Sequence, residues 1–141
     1  PESDIQFLCK EDPTLFIQII RGLFRKFIKY IPFIREYNNK YEMRDKAYSK
    51  SIIESTYLSG AFMFCRRDAL DKVKWFDERF FMYLEDADLT RRLSKIGKCL
   101  HNPFFKVRHV WAQGSRKNNF LKLIACISFL KYSFKWGLKI F

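Results

Sequence analysis

The sequence predicts an α/β domain built from several helices with short strands. Apolar residues recur at helical spacing from Phe16 to Ile31 and again from Phe120 to Ile140. Between these segments, short apolar runs at 56–65, 98–101 and 105–110 are bounded by turn residues such as Asn102-Pro103 and read as strands. A chain of 141 residues with 48% hydrophobic and 18% aromatic content can bury a real core, which excludes a mostly disordered protein. No repeat or low-complexity tract interrupts it.

Taken in order, Asp12-Pro13 offers an N-cap and a first-turn proline. Phe16, Ile20, Phe24, Phe27, Ile28 and Ile31 follow on one face, Arg21, Arg25 and Lys29 on another, and Pro32 is expected to end the helix. A basic amphipathic helix of this kind packs on a core or lies on a membrane surface. Residues 35–56 are polar and mixed in charge and predict a loop or short helix. Within 56–65 the run Ser59-Gly60-Ala61 interrupts the strand, and glycine there signals a bulge or the close approach of a ligand. Arg67-Asp68 opens a short helix through Lys74. Glu85 or Asp86 caps the next, with Leu89, Leu93 and Ile96 facing inward and Gly97 at its end. In the last helix, 120–141, Ser128, Lys131, Lys135 and Lys139 form a narrow polar stripe beside a wide apolar arc. Residues 117–141 are therefore a candidate membrane-interface helix with lysines toward the headgroups, core packing being the rival reading.

Charge is unevenly placed. Residues 1–88 hold 15 basic and 15 acidic residues, whereas 89–141 hold 12 basic and none acidic, so the whole net charge of +12 lies after Asp88. Such asymmetry points to an anionic partner: lipid headgroups, a diphosphate or nucleic acid. Cys9, Cys65, Cys99 and Cys126 show no metal-ligand spacing and read as reduced, mostly buried thiols of a cytosolic protein. No signal peptide and no uncharged apolar run of about 18 residues is visible. The start at Pro1, without an initiator Met, reads as that of a fragment or processed chain.

The chemistry concentrates at 76–89, where Asp77, Glu78, Glu85, Asp86 and Asp88 sit among Phe76, Phe80, Phe81 and Tyr83. Carboxylates beside aromatics are costly unless paired, and a site needing a base or a hydroxyl acceptor is one reason to hold them there. Position alone does not choose between Glu85 and Asp86. The order Ser59-Gly60-Ala61-Phe62, Arg66-Arg67, Phe76-Asp77-Glu78, Phe80-Phe81-Met82-Tyr83, Glu85-Asp86, Asp88-Leu89 and Arg92 resembles the C-terminal half of a family 2 glycosyltransferase, closest to the bacterial rhamnosyltransferase-like members. Val107-Arg108-His109, with Ser115 six residues on, is similar to that family's closing metal-ligand motif. The likeness covers residues 57–115 well and the flanks loosely.

The resemblance implies the acceptor-side half of a GT-A-like domain. It assigns the catalytic base to Asp86 and places His109 at a divalent metal, Mn²⁺ or Mg²⁺; neutral imidazole suits the former. Glu85, Trp75 and Phe76 are expected at the acceptor, and Gly60, Ala61 and Arg116 at the donor and its diphosphate. Asp86-Ala87-Asp88 spells DxD, yet its place after an aromatic loop matches the acceptor-side motif, so Asp88 is expected to be a helix cap or to pair with Arg92 or Arg67. The nucleotide-binding half with its own DxD is not in the sequence, and the chain is expected to be inactive alone. The implied function is inverting transfer of a sugar such as rhamnose. The donor is a nucleotide-sugar, the acceptor a polysaccharide or lipid-linked glycan, and the place the cytoplasmic face of the cell membrane. Membrane surface is an expected partner and nucleic acid is not. Two rivals remain: a non-catalytic basic module binding membrane or nucleic acid, and a metal-dependent hydrolase using Asp86, Asp88 and His109. The first gains nothing from the acidic loop, and the second lacks further ligands.

Overall fold

A computed structural model describes residues 6–109 and 118–141. It is a mixed assembly of helices and very short strands. Strand β1 (Cys9–Lys10) leads to helix α1 (Leu15–Gly22), a 3-10 turn (Arg25–Phe27) and α2 (Pro32–Tyr41). Strands β2 (Ile53–Glu54) and β3 (Tyr57–Leu58) precede α3 (Arg67–Val73) and α4 (Glu85–Leu93), and β4 (Leu100–His101) comes before the long α5 (Asn119–Trp136). The strands form two antiparallel pairs, Cys9 opposite Leu58 and Ile53 opposite His101.

Several expected boundaries move. The cap of α1 is Thr14, whose Oγ1 accepts the Ile17 N–H at 3.2 Å. Asp12 is instead paired with Lys139 at 2.5 Å and Arg91 at 3.4 Å. The first-turn N–H groups of Leu15 and Phe16 donate to the carbonyls of Lys139 and Ile140, so the C-terminal tail caps α1 from outside. The single helix expected through Ile31 breaks after Gly22, where glycine costs an interior about 1 kcal/mol relative to alanine. Pro32 starts α2 rather than ending a helix, at the first position, where its missing N–H is harmless. The loop or short helix expected at 35–56 is helical through Tyr41. Of 56–65 only Tyr57–Leu58 is strand, and 105–109 forms none. The α3 helix stands where expected and ends on Lys74 in left-handed conformation. Ile96, expected inside, is 52% exposed, because α4 stops at Leu93.

Two apolar clusters hold these pieces together. Ile17, Tyr41, Tyr57, Phe80, Leu84, Ala87, Phe129 and Tyr132 join α1, α2, α4 and α5. Cys9, Tyr48 and Ile53 form a smaller cluster under the strands. The cysteines are free, but only Cys9 is buried and Cys126 is exposed, which corrects the expectation of mostly buried thiols.

Helix α5 docks through the polar stripe that the sequence placed toward headgroups. Ser128 Oγ donates to the Met82 carbonyl at 2.6 Å and Lys131 Nζ to the Arg79 carbonyl at 2.6 Å. Lys135 Nζ lies 2.7 Å from both Asp77 and Asp88. The stripe faces the acidic loop because carboxylates removed from water need cations there. Phe120, Leu123, Leu130 and Phe134 are left on the open side.

Candidate active site at the start of the fourth helix

The aromatic loop enters α4 through two successive left-handed residues, Tyr83 (φ 68°) and Leu84 (φ 64°). Leu84 occupies the cap position without a side-chain bond, so neither Glu85 nor Asp86 caps the helix as expected. Asp86 satisfies part of the helix start from inside the first turn, its Oδ1 accepting the Ala87 N–H at 2.8 Å. Its Oδ2 accepts the Gly60 N–H at 2.8 Å. Two motifs 26 residues apart in sequence therefore meet at one carboxylate. Glycine favours this approach: a Cβ at position 60 would stand 3.2 Å from the Asp86 Cβ and 3.5 Å from Oδ2, so the neighbour would have to give by a few tenths of an ångström. The close approach expected of a ligand is made, within the chain itself, by Asp86. Thr90 fixes the turn below, its Oγ1 donating to the Asp86 carbonyl at 2.7 Å.

Glu85 is half-buried, and its Oε2 is buried without a hydrogen-bond partner among the described residues. Burial pushes its carboxyl up from the ordinary range, and the neighbouring Asp86 charge adds to this. A carboxyl held at such a cost beside an oriented carboxylate is a functional-site signature.

Asp88 turns the other way and is fully buried. Arg92 Nε donates to its Oδ2 at 2.8 Å, as the sequence expected, while Trp136 Nε1 and Lys135 Nζ reach Oδ1 at 2.8 and 2.7 Å. Sequence reasoning missed the last two; the signal was an acid-free tail following an acid-rich loop. The DxD triplet is thus not a chelating pair. Asp77, held by Arg79 and by Lys135, lies well below the usual carboxylate range.

The remaining expected residues are more scattered. Trp75 is half-exposed in left-handed conformation, its indole N–H donating to Asp71 at 2.9 Å, and Phe76 beside it is 47% exposed. Ala61 follows Gly60 and is half-buried. His109 is exposed, with a ring nitrogen 3.3 Å from Gln6 Oε1. No group of three or more His, Cys, Asp or Glu side chains that could hold a metal ion exists among the described residues. Arg116, expected at the diphosphate, lies outside the described residues, as does Ser115 of the closing motif.

No protein-family profile matches the chain, and no solved structure matches it significantly. Among curated proteins, rhamnosyltransferase WbbL of Escherichia coli (strain K12) is 33% identical over 97 residues, which is 68% of this chain and 32% of that protein. The N-acetylglucosaminyl-diphospho-decaprenol L-rhamnosyltransferase of Mycobacterium tuberculosis, from strains CDC 1551 / Oshkosh and ATCC 25618 / H37Rv, is 54% identical over 41 residues, 29% of this chain and 13% of that protein. The chain spans about a third or less of the length of these curated relatives. It is similar to part of these rhamnosyltransferases, in agreement with the resemblance carried by residues 57–115.

Proposed function

We propose that the chain is the acceptor-side part of an inverting GT-A glycosyltransferase that moves rhamnose from a nucleotide-sugar to a polysaccharide or lipid-linked glycan. The observation that carries this reading is the Asp86 carboxylate, oriented by the Gly60 and Ala87 N–H groups, in a chain similar to part of rhamnosyltransferases. Each carboxylate oxygen keeps a free lone pair after those bonds. The acceptor hydroxyl donates its proton to Asp86 as its oxygen attacks the anomeric carbon, and the bond from that carbon to the leaving diphosphate breaks. Glu85 positions the acceptor, with Trp75 and Phe76 as apolar walls. Gly60 and Ala61 let the donor sugar come close, and Arg116 meets its diphosphate.

A divalent ion, Mn²⁺ or Mg²⁺, remains part of the proposal, with His109 as one ligand and the others from outside the described residues. The nucleotide pocket comes from sequence beyond this chain, which is therefore inactive alone. The mycobacterial relative's name specifies a diphospho-decaprenol acceptor. A lipid-linked acceptor of that class supports a position on the cytoplasmic membrane face. No helix among the described residues is long and apolar enough to cross a membrane. The rival reading, a basic module binding nucleic acid, loses support because Lys131, Lys135 and Lys139 are engaged internally.

The test is transfer from radiolabelled nucleoside-diphosphate rhamnose to a polyprenyl-diphosphate sugar by the whole gene product. Label should move into the lipid extract. Absence of transfer with rhamnose and with other nucleotide-sugars would overturn the reading.

A further inference from the structure

Positions 13–35 contain five basic residues and no acidic one. The break after Gly22 folds this stretch into a corner of α1, the 3-10 turn and the start of α2. Only one edge of α1 turns inward, through Ile17 and Ile20, and Arg21 goes with it to Glu42 at 2.6 Å. The corner itself leaves Leu23, Phe24, Phe27, Tyr30, Ile31 and Phe33 open to solvent, Leu23 at 77% and Tyr30 at 69%. Exposed Lys26 and Lys29 stand among them, Lys29 Nζ lying 4.7 Å over the Tyr30 ring. The apolar surface continues beyond the corner. Phe33 is 6.2 Å from Phe16, and Phe16 is 5.3 Å from Phe141 of the C-terminal tail, itself 77% exposed.

A contiguous exposed patch of this kind marks an interaction surface. Its charge decides the occupant. A second copy packed on the same patch about a two-fold axis would set lysines against lysines. An anionic bilayer accepts both parts: aromatics at headgroup depth, lysines at the phosphates. We propose that the α1–α2 corner docks the chain on an anionic lipid surface, lying in the interface without spanning it. The inference rests on the proposed function for its purpose, access to a lipid-linked acceptor, but its test uses no sugar donor, so the two fail separately.

The experiment is co-sedimentation of the full 141-residue chain with phosphatidylcholine vesicles, with and without phosphatidylglycerol. Wild type should bind the anionic vesicles, and salt should weaken the binding without abolishing it. The triple variant Leu23→Ser, Phe27→Ser, Tyr30→Ser should lose about tenfold or more in partitioning while melting like wild type, since all three side chains are exposed. The pair Lys26→Ser, Lys29→Ser should lose only the salt-sensitive part. Phe134→Ser, on the open side of α5 and 90% exposed, should bind as wild type. No vesicle binding by wild type, unchanged binding by the triple variant, or binding lost with Phe134→Ser instead would overturn the proposal. So would self-association in place of vesicle binding, or steep, fully salt-labile binding to duplex DNA alone.

Discussion

Asp86 and Asp88 are two positions apart on α4 and do opposite work. Two residues along a helix turn through about 200°, so one carboxylate meets Gly60 and the other enters the core against Arg92, Lys135 and Trp136. The division of labour was legible in the sequence only through the resemblance, since DxD spacing alone invites a metal reading. What Gly60 does was half legible: a close approach was expected there, but not that Asp86 makes it. Glu85 yields a pH-dependent expectation. Burial raises its folded pKa above the unfolded value of about 4.3. Below both values it is protonated in either state and carries no penalty. As pH rises through the folded value, the native state must hold a half-buried carboxylate, and stability falls. Glu85→Gln should therefore be near neutral in acid and stabilising near pH 7. Urea unfolding at both pH values checks this; equal destabilisation at both would refute it.

At the scale of elements, α5 carries the main lesson. Its periodicity put Ser128, Lys131, Lys135 and Lys139 on one face, although the helix ends at Trp136 and Lys139 lies in the tail beyond it, and periodicity does not say whether that face meets solvent or the fold. The partners settle it: Asp12, Asp77 and Asp88 take two of the three lysines into ion pairs. The N-terminal helix failed for a related reason, because the apolar pattern runs on through Gly22 while the backbone does not. By contrast, α3 stands where it was expected, and α4 begins at Glu85 as expected but stops at Leu93, short of Ile96. Lys135→Met should cost about 2 kcal/mol, leaving buried Asp88 short of a cation, although Lys135 is itself partly exposed. Lys122→Met on the same helix, where the amine is exposed and donates to Asn119, should stay within about 0.5 kcal/mol. Denaturant midpoints of the two variants give the comparison, and equal effects would mean that the inward stripe contributes nothing.

At the scale of the molecule, Phe62, Phe64, Phe81, Phe104 and Phe105 remain exposed, Phe64 at 93%. A chain that spans about a third or less of its relatives, with such a surface, fits the proposal that the nucleotide half lies elsewhere. Titration calorimetry of this chain with nucleoside-diphosphate sugars and Mn²⁺ should then show nothing tighter than about 1 mM. Micromolar binding would place the nucleotide pocket within these residues. The motif that includes His109 runs into 110–117, outside the described residues. Whether Asp86 is the base is decided by turnover of the whole gene product with Asp86→Asn beside Glu85→Gln. Asp86→Asn keeps the shape and removes the basicity, so turnover should fall by about 10²-fold or more with donor affinity little changed. Near-normal turnover in Asp86→Asn, with activity abolished in Glu85→Gln, would contradict the account and move the proton to Glu85.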